Sequence, residues 1–318
     1  MCYSAMLWED YHSYIRRYGA HISIDEFVRL FKRRRDGSRL LIPKGMADAF
    51  MEPVNAQERE IKTLIDEFNE AEAARLETEL FKQRTRLADA ERQLKVKTTK
   101  KAEEDRRISQ AKVAQLLGRL NDLRRTEPQE RDHRIYPGYY APVMVEEGGQ
   151  LVLKPMRYQC RPQGKPALYD RKFPGTYNAR RDNLEGFWKG QFGHTHALVV
   201  ATCFFENVSR HRLEGRELAE GEAPENVVLK FEPPPGTLMH IACLWSRWSG
   251  PEEPDLLSFA AITDAPPPEV AAAGHDRCII PITRDNVHDW LTPNGDRQRA
   301  YAILDARERP YYEHKLAA

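Results

Sequence analysis

The sequence is short of cysteine and of long apolar runs, and both shortages narrow what the chain can be. Its five cysteines, Cys2, Cys160, Cys203, Cys243 and Cys278, are odd in number, scattered and without a CxxC pair. That argues against a disulfide framework and against a structural zinc site. No stretch approaches the roughly 20 apolar residues of a membrane span, and the first residues, with Trp8, Glu9 and Asp10, lack a signal peptide's basic and apolar regions. No membrane partner is expected, and the cytoplasm is the expected location. An excess of one charge is missing too: 49 basic against 48 acidic residues leave a net charge of +1. A polyanion would therefore have to meet a local patch, such as "FKRRRDGSRL", "NARRD" or "KVKTTKK". There is no phosphate-cradling glycine loop, no GxSxG elbow and no HExxH. His194 and His196 of "GHTHA" would share one face of a strand but have no third ligand at metal spacing. Neither a cofactor nor a metal is expected.

What is present divides the chain. Between Pro53 and Pro128 there is no proline and one glycine, Gly118, while Ala, Glu, Arg, Lys, Leu and Gln dominate; this is strongly helical composition. Apolar residues recur at Ile61, Leu64, Ile65, Phe68, Leu76, Leu80, Leu87 and Leu94, then at Ile108, Val113, Leu116, Leu117, Leu120 and Leu123. Spacings of three, four or seven give a narrow stripe, suited to a helical hairpin or coiled coil. The polar break "KVKTTKKAEED" predicts the tip, with arms of unequal length. An arm of about 35 residues would extend on the order of 50 Å. From Tyr136 onward, short β-rich runs such as "QLVLKPMRYQC", "HALVVATCFF", "NVVLKFEPP" and "LMHIACLW" are punctuated by Gly and Pro, which predicts a mainly antiparallel α+β domain. In the first 50 residues, Ser23 is positioned to cap a helix over "IDEFVRLFKRR". The expected organisation is one domain built from residues 1–53 and 134–318, interrupted by a helical arm over 54–133.

Three residues could carry chemistry together with Cys2. Asn178 lies in "TYNARRD" beside Arg180 and Arg181. Glu206 ends the apolar run "LVVATCFF", where alternation would let it enter a pocket. His275 precedes the buried-looking "CIIPI". Taken alone, each also has a structural reading: Asn178 as a turn residue, Glu206 as a salt-bridged strand end, His275 as a satisfied loop histidine. Cys2 is singular. If Met1 is removed, it presents an α-amine and a thiol two carbons apart, a pair no internal residue supplies.

In order along the chain, "MC", "NAR", an aromatic-aromatic-Glu strand end, "LWxRW", "HDR" before an apolar strand and "WLTP" together resemble the SRAP family, the SOS-response-associated peptidases or abasic-site processing proteins. The resemblance covers residues 1 to about 50 and about 134 to 293, with the arm lying outside it. It implies a barrel-like, mainly antiparallel sheet with flanking helices, and a covalent thiazolidine link between the N-terminal cysteine and abasic sites in single-stranded DNA, nucleoid-associated when engaged. Carried over, Cys2 is the nucleophile, Asn178 and Glu206 support it, and His275 is the acid or base. Arg180, Arg181 and Arg157 are expected to meet phosphates, with Tyr158 as a stacking face. There are departures: Tyr3 and Ser4 follow Cys2 where the family usually reads Gly-Arg, Cys203 stands for a glycine, and Asn207 for a tryptophan. Two rival activities stay open, an amide-cleaving N-terminal cysteine and a non-enzymatic adaptor whose arm 54–133 grips a protein partner.

Overall fold

The computed structural model describes residues 4–7, 11–251 and 253–317; Cys2 lies outside them. The chain forms two units. One comprises residues 1–30, 39–52 and 130–318, the other 31–38 and 53–129.

The strands are β1 (Ser4–Leu7), β2 (His21–Ile22), β3 (Arg134–Ile135), β4 (Tyr140–Glu147), β5 (Gln150–Tyr158), β6 (Asn178–Arg180), β7 (His196–Ser209), β8 (Asn226–Glu232), β9 (Met239–Trp248), β10 (Leu256–Asp264), β11 (Cys278–Ile279), β12 (Pro281–Ile282) and β13 (Glu313–Leu316). The helices are α1 (Tyr11–Tyr18), α2 (Ile24–Arg35), α3 (Lys44–Asp48), α4 (Ala56–Val96), α5 (Lys100–Arg124), α6 (Tyr169–Lys172), α7 (Arg210–Leu213), α8 (Pro268–Ala272), α9 (Val287–Leu291) and α10 (Arg297–Asp305). The fold is α+β, as the composition predicts.

In the larger unit β9, β10, β5, β4 and β7 pair in sequence, and β7 also pairs with β9, which closes a five-stranded barrel. Every pairing in the ring is antiparallel except β5 with β10. The remaining strands extend it: β1 and β8 lie on β7, β3 on β1, β13 on β8, β6 and β11 on β10, β2 on β5 and β12 on β9. The interior is filled by one strand face after another, with Val143, Met156, Val199, Ile241 and Phe259 all buried.

β7 changes the face it turns to the core partway along its length. Its first half presents Ala197, Val199 and Ala201 to the core, its second half Phe204 and Val208. Between them Leu7 of β1 pairs with Ala201 and Met6 with Cys203, so Thr202 is an extra, exposed residue in β7. A β-bulge of this kind shifts the two-residue alternation by one. Cys203 and Phe205 therefore pack with Met6 on the opposite face.

The smaller unit is mainly the hairpin of α4 and α5, 41 and 25 residues long, turning at residues 97–99 inside the predicted break, together with residues 31–38 from the end of α2. Asn55 caps α4 by accepting from the Glu58 amide, while Glu58 reaches back to accept from the Val54 amide, just before the cap. Thr99 caps α5 by accepting from the Ala102 amide. The arms meet through Leu76, Leu80, Leu116 and Leu120. Ion pairs run across them, Arg86 with Asp105, Arg119 with Glu72 and Arg124 with Glu77, and along them, Lys62 with Asp66, Arg75 with Glu72, Arg92 with Asp89 and Arg107 with Glu104. Among the described residues no helix is long and apolar enough to cross a membrane.

Candidate active site

Glu206 is fully buried on β7, paired with Leu229 of β8 and lying between the inward-facing Phe204 and Val208. Counted from Ala197 by strict alternation it would face outward; the extra residue at Thr202 turns it in. A buried carboxylate needs a partner. His275 supplies one, with Nε2 3.3 Å from Glu206 Oε2.

His275 is aimed by the end of α8. Gly274 takes a φ of +93°, a left-handed conformation that only glycine adopts without strain, and an added Cβ would stand 3.0 Å from the Arg212 side chain. The ring is then fixed by the backbone: Nδ1 lies 2.7 Å from the Arg277 carbonyl and 3.4 Å from the Arg277 amide. The shorter contact assigns the Nδ1 proton, which the ring donates to the carbonyl. In the neutral ring Nε2 is then an acceptor facing a carboxylate oxygen. The two atoms satisfy each other only when one proton lies between them. Burial depresses the His275 pKa, with the hydrogen bond to Arg277 opposing it, so the neutral ring dominates at neutral pH.

Asn178 begins β6, which runs parallel to β10 with Asn178 opposite Ala261. Its side chain is buried, and neither amide atom has a hydrogen-bond partner among the described residues. On β10 Thr263 is fully buried with an unpartnered hydroxyl, flanked by Arg180 on β6 and Ile279 on β11. Sequence reasoning passed over Thr263, although a hydroxyl at an inward position of "LLSFAAITD" was the available signal. It also passed over Arg277, which shares Asp182 with Arg180. Arg180 itself is exposed, 2.6 Å from Asp182, and holds that carboxyl below the usual range.

The other expected DNA contacts are placed differently. Arg181 is half-buried between Asp264, at 3.3 Å, and Asp305, at 2.5 Å. Arg157 is paired with Asp170 at 2.8 Å and donates to the Gln159 carbonyl. Tyr158 is buried, stacked on Phe259 and edge-on to Tyr177. The physical reason is the barrel seam: Arg157 and Tyr158 sit where β5 joins β10, with β4 on the other side. Tyr158 is therefore covered on both sides, and Arg157 is paired with a half-buried carboxylate. Trp248 is buried and donates to the Lys165 carbonyl, while Trp245 packs partly buried against the core. His196 is likewise structural, donating from Nδ1 to the Trp290 carbonyl and accepting at Nε2 from the Gly193 amide. Cys160, Cys203, Cys243 and Cys278 are all buried with thiol pKa values raised by burial, to about 12 for Cys160 and Cys203. None of the four is a poised nucleophile.

The family model described as SOS response associated peptidase (SRAP) matches residues 95–317. The match takes in α5 and runs past "WLTP", further at both ends than the later of the two stretches where the sequence carries its resemblance; it contains Asn178, Glu206 and His275 and leaves the first 94 residues, Cys2 among them, outside. Solved structures similar to this chain include a protein from Bacteroides thetaiotaomicron, 12% identical with a TM-score of 0.46 over 58% of this chain and 78% of that one. A protein from Bordetella bronchiseptica is 18% identical, with a TM-score of 0.47 over 58% and 87%. A phage-related protein from the same organism is 18% identical, with a TM-score of 0.45 over 61% and 85%. No curated protein matches the chain.

Proposed function

The chain belongs to the SOS response associated peptidase family, whose setting is the SOS response and abasic-site processing, and from that premise we propose that it captures abasic sites in single-stranded DNA through Cys2. The observation that carries the reading is the buried Glu206–His275 pair, with Nε2 and Oε2 3.3 Å apart. An abasic sugar is mostly a closed hemiacetal; its open form exposes an aldehyde. Removal of Met1 frees an α-amine whose ordinary pKa of about 7.7–8.0 leaves part of it unprotonated at neutral pH, unlike a lysine near 10.4. The amine adds to the aldehyde carbon and one water leaves, giving an imine. The thiol then adds to the same carbon and its proton passes to the nitrogen, closing a thiazolidine ring, and the shared carbon frame makes this second step intramolecular.

In this reading His275 protonates the sugar ring oxygen as the hemiacetal opens, and Glu206 takes a proton from the ammonium. The Asn178 amide, which has no partner among the described residues, holds the reacting residue or the sugar. Arg180 meets a neighbouring phosphate by leaving Asp182, an exchange that costs little because both side chains are exposed. Duplex DNA hides the sugar, so single strands and junctions are the substrate.

The test is incubation with single-stranded DNA carrying one abasic site, followed by a denaturing gel. A covalent band is expected for the wild type and none for Cys2→Ala. No band with wild-type protein, or a band that persists in Cys2→Ala, overturns the reading. Intact mass supplies the companion measurement, with a chain lighter by one methionine expected.

A further inference from the structure

Resting on the reading of this chain as a protein that acts on DNA, we propose that the lysine-rich turn of the hairpin is a second docking surface for the DNA phosphate backbone. Lys95, Lys97, Lys100 and Lys101 are all exposed, and no acidic residue occurs between Arg92 and Ala102. Elsewhere in the hairpin Lys62, Arg86, Arg92 and Arg119 are paired with carboxylates along or across the arms. At the turn no lysine has a carboxylate partner among the described residues.

Helix stability explains only half of this cluster. Lys95 and Lys97 lie at the C-terminal end of α4, where the helix dipole favours a cation; Lys100 and Lys101 lie in the first turn of α5, where it opposes one. Four like charges within seven residues also repel each other. Lys100 and Lys101 therefore gain nothing from the α5 dipole, and the four exposed ammoniums are available to an external anion. Beside it a groove of about 460 Å³ is lined by Arg92, Gln93, Val96, Lys97 and Thr99, and Val96 is 89% exposed. An apolar floor flanked by cations matches a sugar-phosphate chain, with sugar on the valine and phosphate on the ammoniums. Charge complementarity then selects the occupant, because the polyanion already implied by the family is DNA.

The test uses the full chain with Cys2→Ala and an unmodified, labelled single-stranded oligonucleotide, so neither thiol nor abasic sugar enters. Failure of the capture reading therefore leaves this measurement unaffected. Binding by fluorescence anisotropy is compared with and without Lys→Gln at positions 95, 97, 100 and 101. If all four contact phosphate, the slope of log affinity against log salt falls by about 3, and the affinity advantage of the unsubstituted turn shrinks about 50-fold between about 50 and 200 mM salt. The four Lys→Arg substitutions at the same positions are expected to keep the original slope, and circular dichroism checks that helicity is unchanged. Equal slopes for the Lys and Gln forms at equal helicity overturn the proposal. Loss of binding to polyglutamate with binding to DNA retained also overturns it, and assigns the turn to an acidic protein.

Discussion

At His275 the chemistry comes down to where one proton resides. Because Nδ1 is committed to the Arg277 carbonyl, any proton exchanged with substrate must pass through Nε2, the atom facing Glu206. Burial shifts the ring below its ordinary pKa of 6.5, so the acid form grows only as pH falls below that value. The rate of crosslink formation is expected to show an inflection below pH 6.5 that disappears in His275→Asn, with the rate reduced by about 10²–10⁴-fold, the usual contribution of a positioned acid or base. A pH–rate profile of both proteins by quenched-flow and gel checks this; an inflection that survives the substitution removes His275 from the role. Gly274→Ala, one residue before, should weaken the same step by displacing the ring, since the left-handed φ is strained for alanine.

At the scale of elements, the bulge in β7 decides which side of the sheet is reactive. Deleting Thr202 puts Cys203 directly after Ala201, so plain alternation keeps Phe204 and Glu206 facing the core and Cys203 and Phe205 facing away. The covalent band is expected to survive on a denaturing gel, and its loss in a folded deletion variant would show that the bulge itself, and not the facing alone, positions Glu206. Thr202→Ala keeps the extra residue and removes an exposed side chain whose one hydrogen bond is long, 3.4 Å to the Met6 carbonyl; it should change stability by no more than about 0.5 kcal/mol. This bulge also marks the limit of what the sequence discloses. Glu206 is legible as a carboxylate ending an apolar strand, yet its facing depends on pairing with a strand almost two hundred residues earlier. The hairpin is legible because its signals, absent proline, a narrow apolar stripe and a polar break, all lie within the element itself. The surroundings of Arg157 and Tyr158 are illegible for the opposite reason: the seam between β5 and β10 joins segments about a hundred residues apart, and nothing local reports that both neighbours are occupied.

At the scale of the whole molecule, two buried histidines tie stability to acidity. Burial lowers His240 to about 4 and His196 to about 3. Below the unfolded value of 6.5 the unfolded chain takes up protons that the folded chain refuses, so stability is complete above pH 6.5 and falls as pH drops toward those folded values. For His240 the loss amounts to about 3 kcal/mol between pH 6.5 and 4. Urea unfolding across that range should show a steep decline that is shallower in His240→Gln. An equal slope in the variant assigns the decline to other groups.

Barrel closure has a temporal consequence as well. β1 leaves the ribosome first, but its partners on β7 follow almost two hundred residues later, about 10–40 s at ordinary elongation rates. The α4–α5 hairpin, whose inter-arm ion pairs span no more than 47 residues, can be complete in the interval. β1 is therefore made long before the strand it docks on, and during that wait it trails from the nascent protein as a loose thread.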